Sequence, residues 1–235
     1  MDTNLGIKHV AIIADGNRRW AKGKGLPSFE GHREGEQRFR EISRAALEMK
    51  IPFLSIWALS EDNIAKRSKF EIDFILSLLE NELTESLSEL DPNKNEVRFR
   101  LIGRWKEIFG ENSPISRLAA DSMQKTEKND KFNLTLLFGY DGKKEMAAAI
   151  QKIIESGKKK VEENDIKNAL WTAELPPVDL VIRTGGEPHW SGGFMMWHTA
   201  NSQFYFTDKF WPDFGKAEFN EALLDYSRRT RRLGS

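Results

Sequence analysis

The sequence predicts an α/β fold, a single domain over residues 1–235 with a mainly parallel central sheet of about six strands flanked by helices, and an apolar cleft. Three observations lead there. Short apolar runs alternate with longer stretches of helical period. The first run, His9–Ala14, is almost continuously apolar, as a strand buried on both faces requires. Polar clusters follow several of the runs, and in a parallel sheet such strand ends gather on one edge, where open α/β sheets hold ligands.

The elements follow in order. Val10–Ala14 reads as the first strand. Gly31–Met49 reads as a helix, with Phe39, Ile42, Ala45, Ala46 and Met49 on one face. Phe53–Leu59 is a second strand. Lys69–Leu90 is a long helix with apolar residues from Ile72 to Leu90, a stripe that suits either plain core or the wall of a tunnel. Val97–Ile102 alternates apolar and basic residues as a third strand. A helix over Ser116–Lys128, a strand over Leu134–Phe138 and a helix from Lys143 to about Lys160 come next. A short helix near Asp165–Thr172 precedes Pro176-Pro177. Leu180–Ile182 and Phe204–Phe206 complete the strands, and Lys216–Arg231 is the last helix.

Composition narrows the function. The 36 Lys+Arg balance 36 Asp+Glu, so the chain carries no general footprint for nucleic acid or an anionic membrane, and phosphate binding has to come from local arginines. The absence of cysteine rules out disulfides, zinc–thiolate sites and thiol nucleophiles, and fits a reducing cytoplasm. The first residues lack the basic and apolar regions of a signal peptide, and no apolar run is long enough to span a bilayer.

The chemistry collects in four places: Asp15–Arg19, Ser60–Asn63 with Lys66-Arg67, Phe138–Gly142, and Arg183–Glu187. In the first, Asp15 offers a ligand for a divalent cation, Gly16 allows close backbone approach, and Arg18 and Arg19 present guanidinium forks for phosphate oxygens. The same Asp-Gly-Asn letters also suit an ordinary tight turn, and on this segment alone both readings stand. Four clusters around one crevice suit a diphosphate with magnesium, which takes few carboxylates and keeps water and phosphate oxygens as ligands.

Nearly the whole chain resembles the cis-prenyltransferases, the undecaprenyl diphosphate synthase family. The resemblance rests on His9–Trp20 with Gly31–Gly35, on Ala58–Ser68, on Asn133–Glu145, on Asp179–Glu187, on Trp197 with Phe204–Phe214, and on the Arg231-Arg232-Leu233-Gly234 tail, in that order. It implies a magnesium-dependent isoprenyl transferase that adds isopentenyl diphosphate to an allylic diphosphate such as farnesyl diphosphate. The product implied is a Z-polyprenyl diphosphate of undecaprenyl type.

Residue by residue, the resemblance implies that Asp15 holds Mg2+ and assists departure of the allylic diphosphate. Gly16, Asn17, Arg18, Arg19 and His32 would surround that group, with Trp20 beside them and Asn17 helping remove a proton. Ser60 would lie near the reacting carbons, with Asn63 and Arg67 binding substrate. Arg183 would hold isopentenyl diphosphate with Ser191, and Arg232 and Gly234 would complete that pocket, contributed by the neighbouring subunit of a homodimer. A cytoplasmic protein with peripheral membrane contact for product release, and no nucleic-acid partner, completes the expectation.

The chain departs from the family pattern at several positions. Ser28 stands in place of an arginine, and His189 or Trp190 in place of another. Gln203 replaces a glutamate that serves as a metal ligand, keeping a carbonyl oxygen but losing the charge. The alternative expectation is a noncatalytic subunit that supports an active homologue, although such relatives tend to lose the first-motif aspartate and arginines.

Overall fold

The structure, a computed structural model, describes residues 6–88 and 97–229. These form a six-stranded sheet in the order β3-β4-β2-β1-β5-β6. The strands are β1 (His9–Ile13), β2 (Phe53–Ser60), β3 (Val97–Ile102), β4 (Phe132–Tyr140), β5 (Leu180–Arg183) and β6 (Gln203–Phe206). All the pairings are parallel. The order reverses around β1, which pairs with β2 on one side and β5 on the other. A crevice therefore opens beyond the carboxyl ends of β1 and β5, the place where ligands bind in open α/β sheets.

The helices are α1 (Asn17–Gly23), α2 (Ser28–Glu48), α3 (Glu61–Lys66), α4 (Lys69–Ser88), α5 (Trp105–Phe109), α6 (Pro114–Thr126), α7 (Gly142–Glu155), α8 (Glu163–Ala169) and α9 (Lys216–Arg228), with a 3₁₀ turn at Trp211–Asp213. Alternation along β1 divides the core. Val10 and Ile12 face a cluster that includes Ile42 and Ala45 of α2, Ile72 and Leu79 of α4, and Phe219 of α9. Ala11 and Ile13 face a second cluster with Trp57, Leu137, Tyr140, Leu175 and Phe194. Every residue of β1, β4 and β5 is buried, which accounts for their apolar runs. No helix among the described residues is long and apolar enough to cross a membrane.

The second cluster adjoins buried histidines. His9 is fully buried at the start of β1, with Nδ1 2.9 Å from the Pro176 carbonyl and Nε2 2.8 Å from Ser55 Oγ. A neutral ring satisfies both contacts, donating to the carbonyl and accepting from the hydroxyl. Burial lowers the His9 pKa to about 4, and burial with Lys167 nearby lowers that of His198 to about 4. As the pH falls, the unfolded chain takes up these protons first, from its ordinary value of about 6.5. Stability is thus fully present above that value and falls as the pH drops from there toward 4, by roughly 1 kcal/mol per pH unit per histidine. Urea midpoints measured between pH 7 and pH 4.5 should show the loss, and His9→Asn should flatten the slope.

Candidate active site

Asp15 leaves β1 at the crevice and its backbone is fixed from two sides. Its N–H donates to Thr184 Oγ1 at 2.9 Å, and its carbonyl accepts from that hydroxyl at 2.8 Å and from the Trp211 N–H at 2.9 Å. Its carboxylate lies between two guanidinium groups. Arg183 Nη2 donates to Oδ2 at 3.1 Å, and Arg19 Nη2 is 3.1 Å from Oδ1. Arg183, 5% exposed, is the last residue of β5 and also donates through Nη1 to the His189 carbonyl at 2.7 Å and Ser191 Oγ at 2.6 Å. Its Nε is buried without a hydrogen-bond partner among the described residues.

The segment after Asp15, whose letters also suit a tight turn, begins a helix. Gly16 takes φ 111° as the residue before α1, and a Cβ there would lie 2.5 Å from Phe210 Cδ1, so only glycine fits. α1 places Asn17, Arg18 and Arg19 along the crevice, whose volume is about 860 Å³. Ser60, Asn63, Arg67, Arg183 and Ser191 line the same space, together with Asp141 of the Phe138–Gly142 cluster and with Trp57, which the sequence reading did not single out for the site. Ser60 has a structural task too, accepting a 3.0 Å hydrogen bond from Asn63 N to cap α3.

Buried Glu71 is a further residue the sequence reading missed. It opens α4, where a carboxylate suits the helix dipole, and that position was its one sequence signal. Its Oε1 is 2.8 Å from His32 Nε2, 3.4 Å from Arg67 Nε and 3.8 Å from Arg18 Nε. Burial lowers the His32 pKa against the pull of Glu71, so the ring is neutral at pH 7, with its Nε2–H given to Glu71. His32 Nδ1 is then an acceptor, 3.5 Å from Asn17 Nδ2. That contact orients the Asn17 amide and leaves its buried Oδ1 without a partner among the described residues. Burial likewise pulls Arg67 below the ordinary arginine value, with Arg18 adding to this and Glu71 and Asp15 opposing, while the guanidinium keeps its charge.

Two glycines of α2 make this approach possible. A Cβ on Gly31 would lie 2.0 Å from the Asn17 carbonyl, and one on Gly35 would lie 2.8 Å from Asn17 Oδ1. Gly31→Ala should therefore push α1 away from α2, destabilising the fold by about 1–3 kcal/mol. Urea unfolding reads that loss, and a parallel loss of turnover shows that Asn17 has shifted.

Several sequence expectations need correction or lie elsewhere. Trp20 does not line the crevice: it is buried, and its Nε1 donates to Asp213 Oδ1 at 2.8 Å, so it anchors α1 to the 3₁₀ turn. Gln203 is not beside Asp15 within the chain. It pairs with Leu180, which pairs with Val10, so it stands at the far end of the strands, roughly 15 Å from the loop by strand rise. His189 meets the site through its carbonyl on Arg183, with its exposed ring 3.0 Å from Ser191 Oγ. Arg232 and Gly234 lie outside the described residues. Among the described residues no group of three or more His, Asp or Glu side chains forms a ready-made metal cage.

A second, apolar cleft adjoins the crevice. Ala14, Asn17 and Ala58 border both, and His32, Phe39, Ile75, Leu79, Leu136 and Phe138 line the cleft alone. The β2–β4 register shifts between Trp57 and Ser60, and such irregularities re-aim side chains next to active sites; Ala58 is the exposed residue there.

An anion crevice rich in arginine, joined to an apolar cleft at a sheet switch point, defines a class of protein that handles amphiphilic diphosphates. The comparisons specify it. The family described as "Putative undecaprenyl diphosphate synthase" matches residues 13–234. The chain is 39% identical over 228 residues to an isoprenyl transferase of Rickettsia typhi, covering 97% of this chain and 98% of that one. It is 39% identical over 240 residues to one from Halalkalibacterium halodurans, covering 100% and 91%. Lavandulyl diphosphate synthase from Lavandula x intermedia, solved with dimethylallyl diphosphate, superposes with a TM-score of 0.89 at 32% identity over 98% of this chain and 99% of that one. For a "probable undecaprenyl diphosphate synthase" from Campylobacter jejuni the TM-score is 0.77 at 28% identity over 97% and 99%. The chain belongs to the undecaprenyl diphosphate synthase family of cis-prenyltransferases, and its chemistry is the condensation of isoprenoid diphosphates.

Proposed function

We propose that this enzyme adds isopentenyl diphosphate to an allylic diphosphate, giving a Z-prenyl diphosphate and inorganic diphosphate. The observation that carries the reading is the Arg19–Asp15–Arg183 clamp, set where the polar crevice meets the apolar cleft. In the reaction the allylic C–O bond breaks, its electron pair leaving with the diphosphate. A new C–C bond forms to the terminal carbon of isopentenyl diphosphate, and a proton leaves the neighbouring carbon. Arg18 and Arg19 stabilise the leaving diphosphate as its charge develops. Arg183, held by Ser191, orients the isopentenyl diphosphate. Asn17 Oδ1, left free by the His32 contact, accepts the departing proton, relaying it to diphosphate oxygen. The apolar cleft keeps water from the cationic carbons.

The residues suit magnesium in one way only. Asp15 is a single carboxylate already neutralised by two arginines, which fits an ion shared with substrate oxygens and not an all-protein cage. When bound, magnesium adds positive charge beside the departing diphosphate. In the same reading the enzyme is a cytoplasmic homodimer, with Arg232 and Gly234 closing the isopentenyl diphosphate pocket, as the resemblance implies.

Dimethylallyl diphosphate, the molecule bound to the lavandula relative, belongs with the candidate starters. Incubation with dimethylallyl, geranyl or farnesyl diphosphate, labelled isopentenyl diphosphate and magnesium should yield longer labelled diphosphates from the isolated chain. Absence of incorporation with all three starters defeats the reading.

A further inference from the structure

The cleft is where the tail of a crevice-bound diphosphate goes, because Ala14, Asn17 and Ala58 border both spaces. Its volume is about 100 Å³. A cavity of about 150 Å³ is what a benzene molecule occupies in an engineered protein core, so this one takes about four carbons, close to one isoprene unit. The walls are α2 and α4, and the floor is Ile56, Leu136 and Phe138 of the sheet.

Charge enters the lining of this cleft from both helices, and Glu82 is its last residue along α4. Glu36 of α2 and Glu82 of α4 both line it, and both meet Arg40, one turn along α2 from Glu36. Arg40 Nε is 2.5 Å from Glu36 Oε1 and 2.6 Å from Glu82 Oε2, and its Nη1 donates to Glu85. The three side chains Glu36, Arg40 and Glu82 are 19%, 29% and 17% exposed, so they are partly sheltered from water. Burial alone lowers the Arg40 pKa, but Glu85, Glu36 and Glu82 outweigh it and hold it above the ordinary arginine value, so the rung stays charged. Further down the same helices and β2 the core is solid, with Ile42, Leu54 and Leu83 buried. An apolar tail pressed past the rung would separate paired charges and leave them against hydrocarbon, which is strongly unfavourable.

We propose that the Glu36–Arg40–Glu82 rung is the chain-length stop of this enzyme, which makes short products of about ten to fifteen carbons from a five- or ten-carbon starter. This deepens the prenyltransferase reading and rests on it. It replaces the undecaprenyl-type length that the resemblance implies.

Two measurements test it. In the first, labelled products of the wild-type enzyme are sized by chromatography with each starter. Expected are one or two additions to dimethylallyl diphosphate, and at least about tenfold lower kcat/KM with farnesyl diphosphate. The triple variant Glu36→Ala/Arg40→Leu/Glu82→Ala removes the rung without stranding a buried charge, and the space freed by the trimmed side chains, bounded by buried Ile42, Leu54 and Leu83, should lengthen its products by one isoprene unit. Wild-type products of about twenty-five carbons or more from any of the starters overturn the proposal, as does a folded triple variant whose products are unchanged.

The second measurement needs neither a variant nor turnover. Calorimetric binding of unreactive thiodiphosphate analogues with five-, ten- and fifteen-carbon tails should show affinity that stops rising, within twofold, beyond ten carbons. A further tenfold gain from ten to fifteen carbons overturns the length stop. Absence of turnover by the wild type, with the affinity plateau intact, overturns the prenyltransferase reading instead.

Discussion

Asp15→Asn lowers kcat for condensation by about 100- to 1,000-fold, the effect of removing one preorganised charge from a site where charge develops. The argument is electrostatic. Asp15 is the one carboxylate set between Arg19 and Arg183. It also lines the crevice, where it can share a cation with a bound diphosphate. Asparagine keeps the size and one oxygen acceptor for the arginines but carries no charge. The variant should therefore fold, bind diphosphate at least as tightly, and need more magnesium to reach its reduced maximal rate. Alanine is a poorer probe. It leaves the buried Arg183 guanidinium with only the His189 carbonyl and Ser191 hydroxyl as partners, so lost stability mixes with lost chemistry. Steady-state rates across a magnesium titration, with urea unfolding alongside, separate the two. Retention of more than a tenth of wild-type kcat by Asp15→Asn would remove Asp15 from the chemistry.

Arg183→Lys raises KM for isopentenyl diphosphate by about 10- to 100-fold, with a smaller change in kcat. One guanidinium here reaches Asp15 on one arm and the His189 carbonyl and Ser191 on the other, and still has a buried Nε to offer. A lysine ammonium is a point donor and cannot span that fork. Losing a charge-assisted hydrogen bond to phosphate costs about 1.5–3 kcal/mol, which sets the size of the effect. KM for the allylic partner should move much less, since Arg18 and Arg19 lie on α1. Equal increases in both KM values would mean that Arg183 serves only to hold Asp15.

Much of the fold was legible because period and burial coincide. Val97–Ile102 was read as β3 at both ends, and the expected strand at Phe53–Leu59 is one residue short of β2. The elements missed were α1, α3 and α5, of seven, six and five residues. Helices that short are marginal alone and form because tertiary contacts hold them, as Trp20 holds α1 through Asp213. The site was legible in part for a similar reason. Asp15, Arg19 and Arg183 stand at or just after strand ends and are visible as local chemistry, whereas Ser191 enters only through the family resemblance. Glu71 looked like one more acid at a helix start, and only its burial against His32, Arg67 and Arg18 marks it. Gln203 shows the opposite failure, since its distance from Asp15 depends on the register of β5 with β6, which linear order does not carry. The ionic rung was invisible for the same reason: Glu36, Arg40 and Glu82 read as solvated helix faces until α2 and α4 are laid side by side.

The pairing of β1 with β5 also bears on how the molecule is made. Asp15 meets Arg183 at a sequence separation of 168, and Trp20 meets Asp213 at 193. Contacts that distant form late, because loop closure comes before any return in pairing. On the ribosome the first strand is thus synthesised early and waits, with its apolar edge toward β5 uncovered, until most of the chain has emerged. Chains truncated before β5 should bury neither that edge nor Asp15. They should depend on chaperones and aggregate, whereas losses confined to the surface of α8 should be tolerated.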